Sequence, residues 1–257
     1  MFIDTHAHLG DERIICDIQN VLEQAKNAGV GKIVCVGYDL QSSQQAVELS
    51  EKYENVYACI GVHPHDAKTY TNQVEQKLIE LAEHPKVLAI GEIGLDYFYD
   101  LSPREIQKQV FVRQIELAKR LHKKIVVHMR EATQDTMEIL EQNRANILGA
   151  IVHCFNGSKE TLERVMKMGF YVSYGGAVTF KNANGILEAV KNTPMNRILL
   201  ETDCPYMTPV PHRGQTNYPK YITLVAQKIC ELKNMDIKQL EEITTQNAKN
   251  FFGELDG

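Results

Sequence analysis

Hydrophobic positions along the chain fall into two alternating patterns. Short runs rich in Val, Ile and Ala recur at 2–6, 32–36, 56–61, 87–92, 125–128, 150–153, 171–173 and 198–203, the signature of buried strands. Between them lie stretches with helical spacing near 17–28, 42–53, 72–84, 103–122, 134–143, 158–168 and 181–192, and two more follow residue 219. Terminal signals agree with this reading. Ser102-Pro103-Arg104-Glu105 predicts an N-cap, a proline at the first helical position and a glutamate at the third, while Gly29 and Gly169 directly follow helical runs. Eight strand–helix alternations without a Pro/Gly/Ser-rich linker predict one domain over 1–257, folded as a (β/α)8 TIM barrel. An open doubly wound sheet uses the same local signals.

Polar residues at the strand ends favour the barrel. His6, Glu92, His128, His153 and Asp203 each close an otherwise apolar run, and a barrel gathers strand ends around one mouth. His6 and His8, two residues apart on an extended strand, project from one face and can reach one ion. Imidazole and carboxylate are ligands of divalent metals, and a barrel end carrying this many suits more than one ion.

Composition narrows the class. The 257 residues are 44% hydrophobic and carry a net charge of −5, which argues against an extended nucleic-acid footprint but leaves room for a compact basic face. Six scattered cysteines form no CxxC pair, and the chain shows neither a signal-type N-terminus nor a long uncharged apolar run. These features predict a cytoplasmic protein with free thiols, no membrane association and no obligate protein partner. The seven basic residues of 104–124 accompany an apolar stripe through Val110, Phe111, Ile115 and Leu117, so they predict a solvated helix face rather than a DNA track.

Seven ordered motifs carry a resemblance: Asp4-Thr5-His6-Ala7-His8-Leu9, Gly61-Val62-His63-Pro64-His65, Gly91-Glu92-Ile93-Gly94-Leu95-Asp96-Tyr97, His128-Met129-Arg130-Glu131, His153-Cys154-Phe155-Asn156-Gly157, Glu201-Thr202-Asp203-Cys204-Pro205 and Pro211-His212-Arg213-Gly214. Together they resemble the TatD family of metal-dependent deoxyribonucleases, a branch of the amidohydrolase-like barrels. Lys124, where that family usually has proline, and Gly10, where an acidic residue is common, are small departures.

The resemblance implies two divalent ions per chain, of Zn, Mn, Co or Mg, with His6, His8 and Asp203 on one, His128 and His153 on the other, and Glu92 bridging. It also implies hydrolysis of DNA phosphodiester bonds, with exonucleolytic action on single-stranded ends and Asp203 accepting a proton from water. Strand parity adds Glu201 as a supporting carboxylate, and chain position adds His63, His65, Arg130 and Arg213 as contacts to phosphate or leaving group. Tyr97, Phe98, Tyr99 and Tyr206 are candidates to stack on an unpaired base. Hydrolysis of another ester, lactone or amide, including an aminoacyl ester of RNA, uses the same metals, and a non-enzymatic metal-binding barrel is the remaining alternative.

Overall fold

The computed structural model describes residues 1–253 and Leu255. Its strands are β1 Phe2–Ala7, β2 Val30–Val36, β3 Val56–Ile60, β4 Val87–Asp96, β5 Lys124–Arg130, β6 Ala150–Val152, β7 Tyr171–Tyr174 and β8 Ile198–Leu200. They form one eight-stranded sheet in sequence order, as a (β/α)8 barrel requires. Among the described residues, ten α-helices accompany them: α1 Glu12–Ile15, α2 Ile18–Asn27, α3 Leu40–Lys52, α4 Asn72–Ala82, α5 Arg104–Arg120, α6 Thr133–Gln142, α7 Lys159–Lys167, α8 Asn184–Asn192, α9 Ile222–Lys233 and α10 Ile237–Phe252. Among the described residues, no helix is long and apolar enough to cross a membrane.

The chain divides into two compact units. One comprises 1–35, 154–163 and 171–257, the other 36–153 and 164–170. In the first, β1 pairs in parallel with β2, and β7 with β8. Ala7 also bridges to Cys204, beyond the end of β8, which ties the first strand to the segment that carries Asp203. α9 and α10 cover this unit with buried Ile222, Val225, Ile229, Leu240 and Phe251.

In the second unit β3, β4, β5 and β6 pair in succession. Here β4 runs to Asp96, four residues beyond the expected Glu92. Gly94 makes the extension possible: at φ +145° it lies so close to β5 that a Cβ would overlap the His128 carbonyl oxygen. The β4–β5 register shifts between Ile90 and Ile93, an irregularity of the kind that re-aims a side chain, and Glu92 sits within it.

The start of α5 and the end of β3 also differ from expectation. α5 starts at Arg104 after Pro103, and Ser102 does not cap it: its hydroxyl donates to the His65 carbonyl at 2.7 Å and accepts from Lys68 N–H. The expected third strand stops at Ile60, and His63 instead caps a short 3-10 segment, Pro64–Thr69, its Nδ1 accepting from the His65 amide at 3.1 Å. Gly29 and Gly169 do terminate α2 and α7, each with a positive φ.

Candidate metal centre

Each unit brings imidazole and carboxylate groups together. In the first, β1 ends at Ala7, so His6 lies inside the strand and His8 just beyond it; both are buried. The His8 amide donates to the Cys204 carbonyl at 2.7 Å, and the Asp203 amide to the His6 carbonyl at 2.9 Å. This pairing sets Asp203, whose φ is +54°, against both rings. Asp203 Oδ1 lies 3.4 Å from His8 Nε2 and 3.8 Å from His6 Nε2. β8 itself ends at Leu200, so Asp203 is presented by a turn rather than by the strand, and a left-handed backbone is one that aspartate tolerates.

Behind these ligands, Asp4 is fully buried and accepts from Thr202 through its amide at 3.0 Å and its hydroxyl at 2.6 Å. Burial pushes its carboxyl up to about 7, against those hydrogen bonds. Glu201 is likewise buried, accepting from the Cys154 amide at 2.6 Å and from the Ser173 hydroxyl. Tyr206 is 45% exposed, meets the His8 ring edge-on at 5.9 Å between centroids and carries the Arg13 guanidinium over its own ring at 4.7 Å. Arg213 is exposed and stacks on Phe180 at 3.8 Å.

The second unit is built around Glu92, which is 3% exposed. One oxygen, Oε1, lies 2.7 Å from His128 Nδ1, 2.7 Å from His153 Nε2 and 3.5 Å from His63 Nε2. Burial raises the carboxyl's pKa, but the surrounding imidazoles outweigh it and hold Glu92 well below its ordinary range. The His63 pKa is lowered as well, to about 4, because burial and then the neighbouring His128 disfavour its charge. At neutral pH it is therefore an uncharged ring whose Nδ1 accepts from the His65 amide.

Asp96 is the residue that sequence reasoning missed. It is fully buried and sits 2.9 Å from His128 Nε2 and 3.1 Å from His65 Nε2. Those contacts outweigh its burial and hold its carboxyl far below normal, while Asp96 and Glu92 together overcome burial to raise His128. A carboxylate in Gly-Leu-Asp-Tyr reads as a turn residue, and only the length of β4 reveals that it reaches His128.

The aromatic residues after β4 divide. The Tyr97 hydroxyl donates to Asp135 at 2.6 Å and Arg104 covers the ring, so this side chain is engaged in packing. Phe98 and Tyr99 are 56% and 53% exposed, with the Arg130 guanidinium 4.1 Å and 4.8 Å from their ring centres. Arg130 makes no ion pair among the described residues; Asp96 is committed to the two histidines instead.

Both groups fit a divalent cation. The ligand atoms of His6, His8 and Asp203 lie within 4.8 Å of one another, as do those of His63, Glu92 and His128. Mixed nitrogen and oxygen donors of this kind suit ions from Zn to Mn.

A (β/α)8 barrel with such ligand groups on and after its strands has the architecture of a metal-dependent hydrolase. Within that class the chain belongs to the TatD family, matching the TatD related DNase description over residues 3–253. It is 48% identical to the metal-dependent hydrolase YabD of Bacillus subtilis over 252 residues, covering 98% of this chain and 99% of that one. A protein of Shigella flexneri named 3'-5' ssDNA/RNA exonuclease TatD is 32% identical over 97% of this chain and 98% of its own length. Among solved structures, the TatD homologue YJJV of Escherichia coli superposes with a TM-score of 0.93 at 30% identity, covering 98% of each chain.

Proposed function

We propose that this hydrolase is a divalent-metal deoxyribonuclease that removes nucleotides from single-stranded DNA ends. The observation that carries the reading is the convergence of three imidazole nitrogens on one buried carboxylate oxygen of Glu92, alongside the separate His6, His8 and Asp203 group. Family membership and the 3'-5' ssDNA/RNA exonuclease named in Shigella flexneri support the substrate class.

In this proposal His6, His8 and Asp203 would hold one cation and His128, His153 and Glu92 a second, with Glu92 shared as the family resemblance implies. Divalent ions held by these residues would supply Lewis acidity that lowers the pKa of water and offsets phosphate charge. Asp203 accepts the proton of the attacking water, with Glu201 as the buried carboxylate supporting that ligand. His63, neutral at physiological pH, faces the leaving group, while His65, Arg130 and Arg213 contact phosphate. Tyr206, exposed beside His8, stacks on a base, whereas the expected base contact of Tyr97 gives way to its engagement with Asp135 and Arg104. The single-domain organisation over 1–257 and a cytoplasmic location without membrane or obligate protein partner belong to the same proposal; the family match over 3–253 supports the former.

Metal-reconstituted protein incubated with end-labelled single-stranded and duplex DNA tests the substrate. The proposal expects stepwise shortening of the single strand and slower attack on the duplex. Intact DNA together with turnover of an ester, lactone, amide or aminoacyl-RNA panel assigns the centre to another bond. Bound metal without turnover of any substrate makes it a non-enzymatic metal protein.

A further inference from the structure

Asp96 has a complete set of partners for a residue with no proposed part in ligation or substrate contact. Its Oδ1 accepts the backbone N–H groups of Phe98 at 3.0 Å and Tyr99 at 2.8 Å. Its Oδ2 lies 2.9 Å from His128 Nε2 and 3.1 Å from His65 Nε2. Even its main chain is clamped, the amide donating to Gln107 Oε1 at 2.9 Å and the carbonyl accepting from Gln107 Nε2 at 3.1 Å.

His128 therefore stands between two carboxylates, with Nδ1 2.7 Å from Glu92 Oε1 and Nε2 2.9 Å from Asp96 Oδ2. Either nitrogen is chemically able to ligate a cation, and the surroundings distinguish them. On the Glu92 side further ring nitrogens converge, from His153 and His63. On the Asp96 side Oδ1 accepts from two backbone amides and Oδ2 is hydrogen-bonded to His128 Nε2, which is the pattern of a carboxylate acting as a hydrogen-bond acceptor. A histidine ligand that donates its second N–H to a carboxylate is held in one tautomer and one ring orientation, and becomes a better base toward the metal.

We infer that Asp96 is a positioning residue: it accepts a hydrogen bond from the Nε2–H of His128 and leaves Nδ1 as the ligating atom. The inference rests on the metal reading proposed above.

The first test needs no substitution. Protein labelled with 15N-histidine is loaded with 113Cd(II), and long-range proton–nitrogen spectra are recorded, with His128 identified by comparison with His128→Gln. The assignment expects cadmium coupling at His128 Nδ1 and a proton on Nε2; coupling at Nε2, or no coupling to His128, overturns it. The second arm measures Cd(II) affinity of Asp96→Asn by chelator competition, with circular dichroism confirming the fold. An affinity about 10–100-fold weaker is expected; an unchanged affinity overturns the assignment. If the variant fails to fold, the wild-type spectrum decides alone. A DNA-cleavage assay on the same wild-type preparation separates the two readings. Cadmium on Nδ1 without nuclease activity sinks the proposed substrate and leaves Asp96 in place; active nuclease with cadmium on Nε2 does the reverse.

Discussion

Glu92 is the residue on which the second ligand group depends, since one oxygen gathers His128, His153 and His63. Replacing it by alanine removes the carboxylate oxygen that lies 2.7 Å from both His128 and His153 and leaves imidazoles facing one another. Glu92→Ala should lose one bound ion per chain and reduce turnover by at least ~100-fold, checked by elemental analysis and single-turnover kinetics. His63 supplies a pH prediction. Unfolded, it keeps its proton up to about 6.5; folded, burial holds it neutral down to about 4. Between those values the unfolded state binds more protons, so His63 makes stability rise with pH and fall on acidification through that window. In urea unfolding of chelator-stripped protein, His63→Asn should lose less stability than wild type between pH 6.5 and pH 4.

At the scale of elements, β4 and α5 do most to shape the second unit. Gly94 admits β4 alongside β5, and a methyl group there would collide with the His128 carbonyl. Gly94→Ala should cost several kcal/mol, roughly 2–5 on the scale of backbone strain and overpacking, and weaken metal retention through displaced His128; thermal unfolding and metal content check it. α5 contributes two buried glutamines: Gln114 accepts from the Val62 amide at 2.8 Å and donates to its carbonyl at 2.9 Å, and Gln107 does the same for Asp96. Gln114→Ala strands both groups of Val62 and should destabilise the fold by about 1–3 kcal/mol. The apolar stripe of α5 was legible in its sequence and its charges do lie outside, Arg113 and Arg120 both pairing with Glu75. The glutamines were not legible, because a polar residue on a buried stripe is explained only by the backbone it meets in three dimensions. The same holds for Ser102, whose capping pattern was overridden by the open carbonyl of His65.

For the whole molecule, strand–helix alternation made the barrel readable, since eight apolar runs at regular spacing admit few architectures. His6, His8, Glu92, His128, His153 and Asp203 were readable because each breaks or ends such a run. Their exact stations were not: Glu92 lies within a register shift of β4, and Asp203 in a turn three residues past β8, and neither backbone detail has a signal in residue type. Asp96 escaped notice for the same reason. Charge bears on substrate binding at this scale. With a net charge of −5 and Arg130 and Arg213 the two arginines proposed on phosphate beside His65, few counterions are displaced. The logarithm of single-strand affinity should fall against the logarithm of salt with a slope no steeper than about −2, since each phosphate contact contributes about −0.7. A much steeper slope in fluorescence titrations means an unrecognised basic track.

The most direct measurement strips the protein with chelator, adds back Mg, Mn, Co or Zn in turn, and follows mononucleotide release from a labelled single-stranded oligonucleotide. The account predicts no release from stripped protein and restored stepwise release with at least one added cation. Release that persists without any divalent ion, or an intact strand with all four, contradicts it.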